Sequence, residues 1–194
     1  MRKRICLSIV LLVTALTISV AAIQREQRAL SEKLIRLHVV ANSDSEEDQR
    51  IKLKVRDAVL EVTQGLGRET LTESLSEIEI AANDCLDSLN RPERAEVTLR
   101  KERFPTRVYD NFALPAGVYQ TLRVTIGSGE GQNWWCVAFP SICLRATSAE
   151  LHDAAVSAGF TEDEIKLITE DGGKYVLKFK TLELLDRIKE ILFD

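Results

Sequence analysis

The chain has 194 residues, 45% hydrophobic and 29% charged, with 9 Gly and 4 Pro. That composition excludes disordered and low-complexity chains and is enough for the core of one domain. The formal charge of −4 argues against a nucleic-acid binder with its basic face. Without the three charges of Arg2, Lys3 and Arg4 it falls to −7, which argues against a general binder of anionic lipid or polyphosphate and leaves a basic partner open. Four Cys are too few for a disulfide scaffold, and two His limit His-rich metal sites.

Arg2, Lys3 and Arg4 precede residues 5–23 (ICLSIVLLVTALTISVAAI), which hold no charge, Pro or Gly. Nineteen helical residues span about 28 Å, close to a bilayer core. The run is longer than the apolar core of an ordinary signal peptide, which favours an uncleaved anchor. Small residues around Ala21 and Ala22 keep cleavage open. Cys6 comes too early for a lipoprotein cysteine. The basic flank predicts a cytoplasmic N-terminus and export of the rest. Residues 1–23 are thus expected to form a signal peptide or signal anchor, 24–33 a polar helical stalk, and 34–194 one extracytoplasmic domain.

Residues 34–41 (LIRLHVVA) read as a strand, with Arg36 and His38 on a partly wet face. Asn42, Ser43, Asp44 and Ser45 break it, and Ser45 with Asp48 resembles a capping box. Ile51, Val55, Ala58, Val59 and Val62 predict a helix to about Gln64, ended by Gly65 and Gly67. A second helix, opened by Thr70 or Thr72, carries Leu75, Ile78, Ala82, Cys85 and Leu86 to a stop at Pro92. Extended pieces follow from Ala95, over 108–114, over 119–126 and over 133–139. The remainder reads as helices at 148–158 and 162–169, a strand at 174–180 and a helix at 182–192. The order predicts an α+β fold, a mostly antiparallel sheet covered by helices.

The glycine-rich run 127–131 (GSGEG) lacks the Lys-Ser/Thr of a phosphate loop and precedes a strand, so it is expected to be a hairpin loop. The acidic runs at 44–48 and 162–164 suit helix starts, where the dipole favours negative charge. Cys136 and Cys143 are too far apart for a metal or redox pair. Outside a membrane their spacing leaves a disulfide and two separate thiols both open. His38 and His152 are the available bases for a Cys–His enzyme, but nothing local ties either to a nucleophile. No cofactor motif is present. Trp134 and Trp135 are adjacent in a strand and must point to opposite faces, so one can enter the core while the other faces outward as contact material.

Residues 34–57, 114–127 and 131–143 together resemble the stage II sporulation protein R family, with the Asn-Ser-Asp-Ser block from Asn42 and the Asn-Trp-Trp-Cys-Val block from Asn133 as the specific parts. The resemblance implies a signalling protein and not an enzyme. Such a protein is exported across the forespore membrane into the intermembrane space. There it triggers an aspartic-type membrane protease of the mother cell, which processes the precursor of the early mother-cell sigma factor. On that reading the expected contacts with the protease are Asn133, Trp134, Trp135, Phe139 and Pro140, held by a Cys136–Cys143 turn, with Asn42, Ser43 and Asp44 as a second contact. The alternative is a membrane-tethered module that binds cell wall or another envelope protein.

Overall fold

The computed structural model describes residues 2–142 and 147–169; of residues 2–9, 12, 13, 16, 23, 26, 148 and 167 only the backbone is described. A long helix, α1 (Arg2–Lys33), leads into β1 (Ile35–Val40), followed by α2 (Glu46–Thr63), α3 (Arg68–Glu73) and α4 (Leu75–Ser88). Next come β2 (Ala95–Phe104), a short pair β3 (Arg107–Val108) and β4 (Ala113–Leu114), β5 (Gly117–Ile126) and β6 (Asn133–Phe139). The described part ends with α5 (Ser148–Ser157) and α6 (Glu162–Thr169). The strand and helix expected at 174–180 and 182–192 lie outside the described residues, as does Cys143. Among the described residues no helix is long and apolar enough to cross a membrane. The export expectation for residues 5–23 therefore rests on their sequence.

The fold is α+β, but its sheet is mixed. The strand order is β2-β5-β1-β6, with β1 parallel to β5 and antiparallel to β6, and β2 antiparallel to β5. The glycine-rich run after β5 is consequently not a hairpin loop. It carries the chain from β5 over the end of β1 to β6, and Gly131 N and Glu130 N donate to the carbonyls of Ala41 and Asn42. The expected piece 108–114 folds back as the β3–β4 hairpin, and the expected second helix breaks at Ser74 into α3 and α4.

One face of the sheet presents Leu37, Val39, Val97, Leu122, Val124, Cys136 and Ala138 to a core roofed by the helices after β1. Helix α2 contributes Ile51, Val55 and Val59, and α4 contributes Ile78, Ala82 and Leu86. Both sets repeat at four-residue steps, which lays one apolar stripe along each helix. The other face is only partly roofed. There Phe104, Tyr119 and Val137 pack with Leu30 of α1, Leu34, Leu114 of the hairpin, Leu151 of α5 and Ile165 of α6. The open edge of β2 is blunted by α4: Asn83 exchanges hydrogen bonds with the backbone of Ala95, and Glu79 accepts from Val97 N.

Strand β1, at the centre, is buried at all six positions. Arg36 and His38, read from the sequence as a wet face, are 0% and 4% exposed. The reason is long-range pairing: each finds its partners from 64 to 100 residues away in sequence.

Candidate functional site

Strand β6 carries most of the expected contacts. Its register on β1 sets Trp134 beside Val39 and Trp135 beside His38, so the two tryptophans point to opposite faces as strand geometry requires. Trp134 is half-buried on the helix-roofed face, with the Arg56 guanidinium 4.7 Å from its ring centre. Trp135 is half-buried on the other face. It stacks on His38 at 4.0 Å and 12°, meets Phe104 edge-on at 4.6 Å, and lies 5.5 Å from the guanidinium of exposed Arg107.

His38 is the hub of this second face. Its Nδ1 lies 2.6 Å from Glu102 Oε2, and its Nε2 lies 2.7 Å from Asn133 Oδ1. A doubly protonated ring matches two oxygen acceptors; a neutral ring donating to Glu102 needs the Asn133 amide turned to offer its NH2. Glu102 also accepts from Arg100 Nε at 2.5 Å and Arg123 NH1 at 3.1 Å. Burial raises its carboxyl, but the bonds from His38, Arg100 and Arg123 outweigh that and hold it below the usual carboxylate range. A row of polar and aromatic groups thus crosses the sheet: Arg107, Trp135, His38, Glu102, Arg123 and Arg100.

Below that row sits Arg36, whose Nε donates to the Cys136 carbonyl and whose NH2 donates to Tyr109 Oη. Its guanidinium lies 4.3 Å from the ring centre of Phe104 and 5.1 Å from that of Tyr119. NH1 has no hydrogen-bond partner, and burial lowers the pKa. Burial likewise pushes the Tyr109 and Tyr119 phenols up. The cation is held by ring faces and a carbonyl, which fastens β6 to β1 and to the hairpin.

The remaining expected residues serve other surfaces. Phe139 is half-buried against the first core and Pro140 is buried, joined to it by a cis peptide bond. Both line an open groove of about 670 Å³ between the 65–69 segment and α5. Trp134, Trp135, Phe139 and Pro140 therefore do not form one surface.

Asn42 and Ser43 are turned inward. Asn42 Nδ2 and Ser43 Oγ donate to Asp48 Oδ2 at 3.0 and 2.5 Å, while Asn42 Oδ1 accepts from Ser128 N at 3.0 Å. Ser45 Oγ accepts from Asp48 N, as in a capping box, but the Ser45 backbone N donates to Ser43 Oγ rather than to the Asp48 carboxylate. That carboxylate takes Ser43, Asn42 and, at 3.0 Å, Arg91 NH2. Asp44 and Ser45 of the block are exposed.

No catalytic pair forms around His38. Cys136 shares a register position with Leu37, on the face opposite His38, and is disulfide-bonded. His152 is partly exposed on α5, 3.2 Å from Glu162. Cys85 is free and half-buried, its thiol pushed up by burial. Among the described residues no group of His, Cys, Asp and Glu could hold a metal.

Sequence reasoning missed Glu102, Arg100, Arg107 and Arg123 as companions of Trp135. The signal was present only as polar alternation within β2 and β5, with Arg107 on the two-residue β3, and alternation does not say which strand lies next to which.

Comparison with known proteins agrees with the two sequence blocks that meet at β1 and β6. The family model for stage II sporulation protein R matches residues 31–149. The stage II sporulation protein R of Bacillus subtilis (strain 168) is 32% identical over 185 residues, covering 85% of this chain and 83% of the relative. No solved structure matches. With the matched region running from the end of α1 through β6 into α5, the chain belongs to the stage II sporulation protein R family and has a role in sporulation.

Proposed function

We propose that the chain is an exported sporulation signal. It docks on the extracytoplasmic surface of a membrane-embedded aspartic-type protease and switches it on, and the protease then processes the precursor of the early mother-cell sigma factor. The observation that carries this reading is the Trp135–His38–Asn133 assembly. A half-buried tryptophan is clamped against an imidazole on a rigid sheet, with exposed Asn133 and Arg107 around it. Aromatic and arginine side chains fixed in this way are the common anchors of protein interfaces. Docking activates only if the surface binds the active state of the protease more tightly than the inactive one, so the signal works by differential affinity. Residues 5–23 supply the export segment, and the pairing of Cys136 with Cys143 would stiffen the end of β6 outside the membrane.

The test is reconstitution. The full chain, the matching protease and the sigma precursor are co-expressed in a non-sporulating host, and precursor cleavage is followed by blotting. Cleavage should require the chain and should be lost with Trp135→Ala, while the variant still accumulates with unchanged circular dichroism. Cleavage without the chain, or at full level with folded Trp135→Ala, refutes the reading. Retention of the chain by peptidoglycan with no effect on cleavage would instead favour an envelope-binding module.

A further inference from the structure

The open part of the sheet face carries a charge opposite to that of the chain as a whole. Arg100, Arg107 and Arg123 stand along one row with a single carboxylate, Glu102, inside it. Glu96, paired in register with Thr125 at the far end of β2, is the other carboxylate that β2 presents on this side. Glu102 is already saturated by His38, Arg100 and Arg123, and its side chain is only 11% exposed. Arg100 retains 51% of its side-chain surface, and Arg107 is exposed and forms no ion pair among the described residues. The row is therefore cationic at its surface on a chain of formal charge −4.

We propose that this row receives an acidic segment of the partner polypeptide. The segment's carboxylates would engage the Arg100 and Arg107 forks, with its chain lying across Trp135 and Asn133. The inference rests on the docking reading above and gives its partner a chemistry. Guanidinium forks match carboxylates in shape and form charge-assisted bonds to them. Trp135 between the two arginines offers an apolar platform, and Asn133 a hydrogen-bonding group for a peptide backbone. An anionic bilayer is the poorer fit. It would face the net negative field of the whole chain, whereas a short segment senses only the local row within about one Debye length of roughly 8–10 Å.

The test uses the full chain in detergent and a fluorescein-labelled octaglutamate peptide, read by fluorescence anisotropy at about 0.1 M salt, where the Debye length is near 10 Å. The peptide should bind more tightly than a Gly-Ser octapeptide. Arg107→Gln and Arg100→Gln should each weaken it about fivefold or more, with unchanged circular dichroism, whereas Arg50→Gln on the exposed side of α2 should not. Equal binding of the two peptides, or indifference to both substitutions, overturns the proposal. So does displacement of octaglutamate by phosphatidylglycerol vesicles but not by phosphatidylcholine ones, which would assign the row to a lipid surface.

The same variants in the cleavage assay separate the two readings. Chain-dependent cleavage untouched by Arg107→Gln and Arg100→Gln overturns the acidic segment and leaves the signalling function standing. Peptide binding that obeys the row, in a chain that never elicits cleavage, refutes the signalling function and leaves the row's preference for acidic polypeptide intact.

Discussion

Replacing Asp48 by Ala tests whether the Asn-Ser-Asp-Ser block holds the fold or meets the partner. Asp48 is 7% exposed, and its carboxylate joins three parts of the chain: the end of β1 through Asn42 and Ser43, the start of α2, and Arg91 after α4. Hydrogen bonds to a charged group contribute about 1.5–3 kcal/mol each when the partner is left without a replacement. Arg91 keeps Glu47 and Glu93, and water can reach Asn42 and Ser43 in part, so the three bonds do not add in full. Loss of an acid in the first turn adds about 0.3–1 kcal/mol through the helix dipole.

The expected cost of Asp48→Ala is about 3 kcal/mol, read as a fall of ~6–12 °C in the thermal midpoint. Asp44→Ala, at an exposed neighbour, should change stability by less than about 0.5 kcal/mol. Urea unfolding and thermal circular dichroism of both variants give the comparison. Equal costs at the two positions, or a cost below about 1 kcal/mol for Asp48→Ala, would refute the reading of this block as a clamp.

Two further outcomes follow from packing and charge. At Gly131 an added Cβ would overlap the Ser43 carbonyl and crowd Ala41, both in the chain segment leaving β1, so Gly131→Ala should cost about 1–3 kcal/mol. Gly65→Ala meets no atom within 4 Å and should cost only the strain of its positive φ, about 1–2 kcal/mol, and urea unfolding of the pair orders them. In acid, Glu102 is raised by burial but pulled below its ordinary value by His38, Arg100 and Arg123, while Asp48 is lowered chiefly by Ser43 and Asn42. Carboxyls depressed in the fold give stability that is complete above the unfolded value of about 4 and is lost as pH falls through the folded value. Stability should thus be insensitive to these groups between about pH 5 and 7 and should drop below about pH 4, less steeply in Glu102→Gln; an unchanged acid limb in that variant would refute the assignment.

Periodicity made most elements legible. Helix α6 falls on the expected 162–169 and β6 on the expected 133–139 because each has one clear repeat and a turn or cap at its start. What periodicity cannot supply is strand order. Two consecutive strands joined by a glycine-rich run read as a hairpin unless something is known to lie between them, and here β1, paired with β5 at a separation of 85 residues, does. The same gap hid the candidate site. Arg36 and His38 read as a wet face because polar residues at alternate positions usually are. They are buried because Phe104, Tyr109, Tyr119 and Asn133 arrive from four other segments to receive them.

The two sequence blocks that carry the family likeness meet along β1, and their residues divide by direction rather than by position. Asn42, Ser43, Gly131, Cys136 and Pro140 are committed inward, to the loop crossing, the core and the groove floor. Asn133 and Trp135 reach outward beside His38 because β6 alternates and its outer face is only partly roofed. Trp134, one residue on, is braced by Arg56 against the helices, whereas Trp135 is braced by Arg107 and His38. A substitution at Trp134 therefore acts on the helix–sheet core and one at Trp135 on the outer row, although the two are neighbours in sequence. If the signal depends on docking at this face, Trp135 is the tryptophan through which loss of signalling can be separated from loss of fold.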